Sequence, residues 1–506
     1  GDFHIVCAFQ TQRITGDGHG WVDMGDSPVF GTDSSNYITV APVRDGPAGN
    51  FRHAVSVNIL KKRIVPLTHG KYEVTRILTW DHSNDVIYFL GIPEGKPGQL
   101  HIYRVTSVPP RTGASLPPPV CLTCIKEPAP TTPPFISLDE NIYRLKSSSW
   151  DEEDDDTLIT TPPPRRKKKQ KQKSTQKEPP CLYHNAIFSP NSAYYVMECL
   201  GPGIPTASLY KTAMPKPRLL VWLQNNTRLR ERVDNMALPQ IKTFPVQISG
   251  DIRRRFDSIC LRDSERTRSL ERWRIDWNTY LAGHKDFIIA QIDGRGSGGQ
   301  GHQLLHKVYY KLGSVEVSDQ LEVTEYLRDT QHFIDKRRVA VWGWSYGGFV
   351  AALALASPKS VFQCAIAVAP VTNWRLYVYD MQAIFKFPDK IRRTLRGTWV
   401  SRTSRITTRV TRRRTSAKKA HQLKDKMFYL VHGSADDNVH LQQSMALVKS
   451  LTEAETLFRQ QIYPDESHSL SGVKKHLYKS MDEFFDDCFR KQVPPEFKAG
   501  LRDDVE

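Results

Sequence analysis

The chain has no apolar run near the ~18 residues needed to cross a membrane, and no signal peptide at its start. It opens at Gly1 rather than Met, so a fragment or a processed chain is expected, with any membrane anchor outside it. Cysteine is sparse, with eight in 506 residues. The one close pair, Cys121-x-x-Cys124, has no second pair at metal-ligand spacing, so no metal is expected. Cys181 and Cys199 lie around an apolar stretch, Cys364 in an apolar run and Cys488 in the last amphipathic stretch. Disulfides in an oxidising compartment fit this distribution better than zinc. No nucleic-acid-binding motif is present, although the net charge is +17. That charge is local. Residues 382–424 hold 14 Lys/Arg against the single acid Asp389, and residues 162–178 hold eight against Glu178, so the remainder is close to neutral. A basic footprint on a folded face would be spread out, so nucleic acid is not an expected partner.

What is present begins with a β-type repeat. Residues 29–37, 78–88 and 188–195 share a pattern: an apolar residue, a polar turn, then a strand rich in aromatics. Asp33 and Asp81 mark the first two turns, 48 residues apart, and Pro190 the third. Repeats of roughly 40–50 residues built from short strands point to propeller blades, with a β-sandwich as the alternative. Residues 1–248 have room for three or four blades, too few to close a ring. Between them, residues 126–180 combine proline-rich pieces, the acidic run 151–156 and the basic run 165–169. Such composition buries no core and reads as a disordered, low-complexity insert. The sequon Asn225-Asn226-Thr227 marks a candidate glycosylation site in a secreted chain.

From about residue 273 the pattern changes to alternating strands and helices. Strands are predicted at 286–292, 338–342, 364–368, 427–431 and 459–463, and helices at 349–356, 444–451 and 476–489. That order implies a doubly wound α/β domain with a mostly parallel sheet.

Gly343-Trp344-Ser345-Tyr346-Gly347 matches G-x-S-x-G and lies between a buried strand and a helix of small residues. A nucleophile elbow needs this context: a tight strand-to-helix turn, glycines to avoid clashes, and the serine raised at the helix start. The backbone N–H of Tyr346 is then an oxyanion donor. A serine hydroxyl needs a base, and the base needs a carboxylate to orient it. Asp436 follows one predicted strand and His468 the next, in the order Ser, Asp, His and at the sheet edge where such folds place their sites. Asp437 competes with Asp436 for the acid role. A rival motif, Gly294-Arg295-Gly296-Ser297-Gly298-Gly299 with Glu316 about 20 residues on, has the outline of a dinucleotide fingerprint.

Three segments, 342–348, 293–298 and 432–440, together resemble the dipeptidyl peptidase IV group of the prolyl oligopeptidase family. The resemblance extends from about residue 20 to 488 with three gaps. It implies an α/β hydrolase domain at 273–500, preceded by an incomplete β-propeller domain at 1–248. It implies a serine-type exopeptidase that releases N-terminal dipeptides with penultimate Pro or Ala through an acyl-enzyme on Ser345. No cofactor is implied. The implied partners are peptide substrates and a second copy in a homodimer, outside the cell and often at the membrane. Carried over by position, Ser345, Asp436 and His468 form the triad. Tyr346, Val371, Trp374, Tyr377 and Val439 line the pocket for the penultimate residue, with Asn438 as a polar contact. Disulfides would join Cys121–Cys124, Cys181–Cys199 and Cys364–Cys488.

Two stretches depart from the family pattern. Residues 249–272 should carry an apolar strand and a tyrosine serving as second oxyanion donor, but 251–272 are rich in Arg, Asp, Ser and Glu and contain no tyrosine. Residues 382–424 are Arg/Thr-rich where another pocket tyrosine and a helix belong. The family's paired glutamates for the substrate amino terminus would precede Gly1. The alternative is a catalytically impaired relative, such as the dipeptidyl-peptidase-like accessory subunits of potassium channels, whose partner is a membrane protein. Residues 463–468 and 476–480 lean toward that branch, but its members lack the nucleophilic serine that Ser345 supplies here.

Overall fold

The computed structural model describes residues 27–110 except 33, 115–125, 179–247 except 237, 253–256, 268–374 except 310, 376, and 416–491. Most of the expected insert and basic segment, with Cys7 and Tyr377, therefore lie outside the described residues. The chain divides into two units, Cys124–Pro180 and the remainder. The remainder, Gly1–Thr123 with Cys181–Glu506, contains the sheets, the helices and the candidate site.

Three four-stranded antiparallel sheets come first. One holds β1 (Val29–Phe30), β2 (Asn36–Arg44), β3 (Asn50–Asn58) and β4 (Arg63–Pro66). The next holds β5 (Glu73–Asp81), β6 (Val86–Ile92), β7 (His101–Thr106) and β8 (Val120–Cys121). The third holds β9 (Tyr183–Phe188), β10 (Tyr194–Gly201), β11 (Thr206–Lys211) and β12 (Arg218–Gln224). Within each sheet the strands pair in chain order. The three repeat stretches are the β1–β2, β5–β6 and β9–β10 hairpins, so one repeat is one sheet, as in a propeller blade. β6 is buried on both faces, and its period of two explains how. Ile87 and Phe89 pack toward the first sheet with Ile38 and Ala54. Leu90 and Ile92 pack toward the third with Ala186 and Tyr195.

The remaining elements are α1 (Thr227–Val233), β13 (Pro245–Gln247), β14 (Arg253–Phe256), α2 (Trp277–His284), β15 (Ile292–Asp293), α3 (His302–Leu305), α4 (Val315–Thr330), β16 (Ala340–Trp344), α5 (Tyr346–Leu355), β17 (Cys364–Val368), β18 (Met427–Gly433), α6 (Leu441–Glu453), β19 (Arg459–Tyr463) and α7 (Lys474–Lys491). β16 to β19 form a parallel sheet in chain order. Alternate residues bury opposite faces. Val341, Ala365, Ala367, Phe428 and Leu430 pack with α5 and α6. Trp342, Ile366, Val368, Tyr429 and Val431 pack with α2 and α7. Helices on both faces of a parallel sheet are the doubly wound arrangement of an α/β hydrolase.

Two expectations fail locally. The strand predicted over 286–292 enters a ladder only at its end, as β15, and Ile288 is 61% exposed. A strand needs a partner along its length, and among the described residues the neighbouring strand β14 meets this stretch only from Ile292 onward. Within 251–272, where no strand is expected, β14 forms from Arg-Arg-Arg-Phe. Ladder hydrogen bonds are made by the backbone, so a basic sequence can still pair.

Cys181 bonds Cys199, and Cys364 bonds Cys488 across 124 residues. Cys121 and Cys124 are both disulfide-bonded. The Cys364–Cys488 bond ties β17 to α7 inside the core, where both residues are fully buried. Closing so long a loop restricts the unfolded chain by about 5 kcal/mol in the chain-entropy model, and measured costs of losing a native bond run about 2–5 kcal/mol. Replacing both cysteines by alanine should therefore lower the denaturant unfolding free energy by about 3–5 kcal/mol. A change under about 1 kcal/mol would contradict this role.

Candidate active site

Ser345 is the single residue between β16 and α5. Its φ of 57° and ψ of −119° lie where L-residues rarely go. Its N–H donates to the Val368 carbonyl at 2.8 Å, holding the turn against the next strand. Gly343 is required: a Cβ there would stand 2.2 Å from the Gly347 carbonyl oxygen. The helix that follows is buried from Gly347 to Leu355. Tyr346 opens that helix, a position whose N–H has no acceptor within the helix.

The other two residues sit on loops laced together beside this turn. Gly433 ends β18, and a Cβ on it would come 2.2 Å from the Glu466 carbonyl oxygen. Across that approach the Ser434 N–H donates to Tyr463 O at 2.8 Å and the Ala435 N–H to Glu466 O at 3.1 Å. The Asp436 Oδ1 accepts the N–H groups of Asn438 at 3.0 Å and Val439 at 2.8 Å. Its Oδ2 lies 2.7 Å from His468 Nδ1 and 3.2 Å from His432 Nε2. Asp437 is exposed, so the acid facing the histidine is Asp436.

Burial pushes the Asp436 carboxyl up, but hydrogen bonds from His432 and His468, with the Val439 N–H, outweigh it and hold the group well below the usual carboxylate range. A carboxylate at Nδ1 puts the proton on that nitrogen and leaves Nε2 as the basic site. Among the described residues, His468 Nε2 is buried and meets no hydrogen-bond partner. The Trp344 indole N–H donates to the His468 carbonyl at 3.0 Å, which places the histidine loop against the elbow.

Four of the predicted pocket residues share one apolar cluster: Tyr346, Val371, Trp374 and Val439. The Tyr346 and Trp374 rings are 5.9 Å apart. Asn438 is exposed at the rim of the Asp436 loop, and Tyr377 lies outside the described residues.

Three neighbouring residues take roles that no local signature in the sequence assigns to them. Gln443 Oε1 accepts the N–H groups of Thr372 at 3.0 Å and Asn373 at 2.8 Å, and so holds the loop carrying Val371 and Trp374. His432 Nε2 also lies 2.6 Å from the Val439 carbonyl, so that nitrogen carries the proton and donates toward Asp436. Only its spacing, four residues before Asp436 and just ahead of Gly433, hints at this. Glu316 accepts the Tyr346 hydroxyl at 2.6 Å.

The glycine-rich loop 294–299 is occupied by its own chain. Arg295 pairs with the buried Asp319 at 2.6 Å, and the Ser297 hydroxyl donates to Gly294 O at 2.7 Å. A Cβ at Gly296 would meet Val308, and the helix that follows, α3, is only four residues long. With Glu316 committed to Tyr346, the dinucleotide outline has no ribose acid.

A model of the prolyl oligopeptidase family matches residues 273–492, and a model of the dipeptidyl peptidase IV N-terminal region matches residues 6–150. Venom dipeptidyl peptidase 4 of Vespula vulgaris is 32% identical over 492 residues, 93% of this chain and 54% of that protein. Inactive dipeptidyl peptidase 10 of Mus musculus is 27% identical over 489 residues, 92% of this chain and 52% of that protein. The crystal structure of Porphyromonas gingivalis dipeptidyl peptidase 4 superposes with a TM-score of 0.66 at 22% identity, covering 91% of this chain and 55% of that one. The likeness of that structure is one of fold. The chain spans about half the length of the curated relatives it matches.

Proposed function

Because the chain belongs to the prolyl oligopeptidase family, in its dipeptidyl peptidase IV group, we propose that it is a serine-type exopeptidase releasing N-terminal dipeptides with penultimate Pro or Ala. The observation that carries this reading is the bond from His468 to the buried Asp436 carboxylate, on loops tied to the Ser345 elbow. Peptide is the substrate. His468 Nε2 takes the Ser345 hydroxyl proton as Oγ attacks the carbonyl carbon of the second residue. Asp436 stabilises the resulting imidazolium, and the Tyr346 N–H donates to the oxyanion. His468 then gives the proton to the leaving amine, which leaves the dipeptide esterified to Ser345. Water, activated by the same histidine, releases it. Tyr346, Trp374, Val371 and Val439 share one apolar cluster beside the elbow, a surface suited to a small apolar side chain or a pyrrolidine ring.

The test is hydrolysis of a Gly-Pro chromogenic amide by the purified chain beside Ser345→Ala. Equal rates would remove the reading.

The site of action we propose is outside the cell, secreted or on the plasma membrane, as a homodimer. The disulfides support the compartment. No helix among the described residues is long and apolar enough to cross a membrane. Asn225 is exposed, and its Oδ1 accepts the Thr227 hydroxyl at 2.8 Å. We expect a glycan there: glycosidase treatment of the secreted chain should change its gel mobility, and the Asn225→Gln chain should already run at the treated position. An untreated chain that already matches Asn225→Gln would exclude it.

A second reading has two observations in its favour. No tyrosine stands between residues 251 and 272 to act as second oxyanion donor, and a relative named inactive matches 92% of this chain. In that reading the chain is a catalytically impaired, dipeptidyl-peptidase-like accessory protein with a membrane-protein partner such as a potassium channel. Fluorophosphonate labelling of Ser345 without Gly-Pro hydrolysis would favour it.

A further inference from the structure

Glu316 is buried at the second position of α4. Its Oε1 accepts the Tyr346 hydroxyl at 2.6 Å and the Gly313 N–H, and its Oε2 accepts the Ser314 N–H at 3.1 Å. We propose that Glu316 is a positioning residue that fixes the Tyr346 side chain and thereby sets the preference for proline over alanine at the penultimate position. The inference rests on the exopeptidase reading of the site.

The physical argument is one of rigidity. Tyr346 is anchored at its backbone by the elbow, next to Ser345. Its ring packs 5.6 Å from Phe349 and 5.9 Å from Trp374, which leaves the phenol end to be held by something else. Glu316 holds it with a carboxylate that two backbone N–H groups hold in turn. The turn bearing those groups is itself seated on α5. Gly313 has a φ of +73°, and a Cβ there would come 2.8 Å from both Leu353 Cδ1 and Phe349 Cζ. The Tyr346 side chain, which forms one wall of the pocket, is therefore held at both ends, by the elbow and by a turn seated on α5. A rigid pyrrolidine ring gains most from a slot of fixed width, whereas a methyl group touches less of it and loses less when it loosens. Glu316 touches no substrate; it acts through Tyr346.

The experiment measures rates of covalent labelling by a prolyl and an alanyl dipeptide diphenyl phosphonate on the full chain and on Glu316→Ala, Tyr346→Phe and the double variant. The proline-over-alanine ratio should fall about ten-fold in Glu316→Ala. Tyr346→Phe, which removes only the hydroxyl, should lower it similarly, and the double variant should go no lower than either. Glu316→Gln keeps an acceptor for the hydroxyl and should restore most of the ratio. A merely structural glutamate would slow both probes by the same factor, and that result would overturn the proposal. So would an unchanged ratio in Tyr346→Phe, which remains decisive if Glu316→Ala does not fold. A simple fluorophosphonate distinguishes the two levels: no labelling of the unsubstituted chain would overturn the reading of Ser345 itself, and this inference with it.

Discussion

Ser345→Ala should lower Gly-Pro hydrolysis by about 10^5–10^6-fold and abolish fluorophosphonate labelling. The loss is large because no other group on the elbow can form the acyl-enzyme. Without Oγ, His468 has no proton to take, and only substrate binding and the Tyr346 oxyanion donor remain. Asp436→Asn should cost about 10^4-fold by a different route. An amide in place of the carboxylate donates to Nδ1, so His468 carries its proton on the wrong nitrogen. His468→Ala should resemble the serine variant, because serine and base act as one unit and their losses do not add. The absolute rate of the unsubstituted chain should lie below that of a peptidase with two oxyanion donors, since one donor is worth about 10^2–10^3-fold and residues 251–272 offer no tyrosine. A slow enzyme that is nevertheless extinguished by Ser345→Ala is the expected pattern. A slow rate unaffected by the substitution belongs to a contaminant.

The second large effect is acid destabilisation of the blades. His53, His101 and His184 are buried in the first three sheets and hydrogen-bonded as neutral rings. The Nε2 of His53 donates to the Gly70 carbonyl at 2.9 Å, and the Nδ1 of His184 donates to Leu100 O at 3.2 Å. Burial pushes all three down to about 4. The proximity of His101 and His184, whose rings are 5.3 Å apart, adds to the shift of His184, and Lys96 adds to that of His101. In the unfolded chain a histidine titrates near 6.5. Between pH ~6.5 and ~4 the unfolded chain therefore takes up protons that the folded chain refuses, so stability falls as pH falls through that window and is complete above it. One such histidine amounts to about 3 kcal/mol at pH 4. Asp436 acts elsewhere. Its depressed carboxyl contributes stability above about pH 4, and that contribution is lost only as pH falls further toward its folded value. Urea unfolding at about pH 7 and about pH 4.5 should show a loss of several kcal/mol, and His53→Gln should flatten the profile by one histidine's share. A stability unchanged between the two pH values would exclude the effect.

Much of the site was legible from local pattern. The elbow could be read because its requirements are local: a buried strand, glycines at 343 and 347, and a helix of small residues close behind. The order of Ser345, Asp436 and His468, each just past a predicted strand, followed from the same kind of evidence. The hairpin repeat was visible because every blade reuses one turn. Residues 286–292 show the limit of such reading. Their composition suits a strand, but a strand is a pairing, and the partner lies in a different part of the chain with an unrelated sequence.

The sequence by itself determined the candidate nucleophile, the alternation that buries both faces of the parallel sheet, and the repeat that builds the blades. Each is a matter of residues within one element, where spacing and side-chain type suffice. Only the tertiary structure decided that Asp436 rather than Asp437 faces His468, that His432 shares that carboxylate, that Gln443 holds the pocket loop from 70 residues away, and that Glu316 serves Tyr346 rather than a nucleotide. These are hydrogen bonds between groups distant in sequence. They form when burial removes water as the competing partner and the fold brings one donor to one acceptor, conditions that no local window of sequence contains.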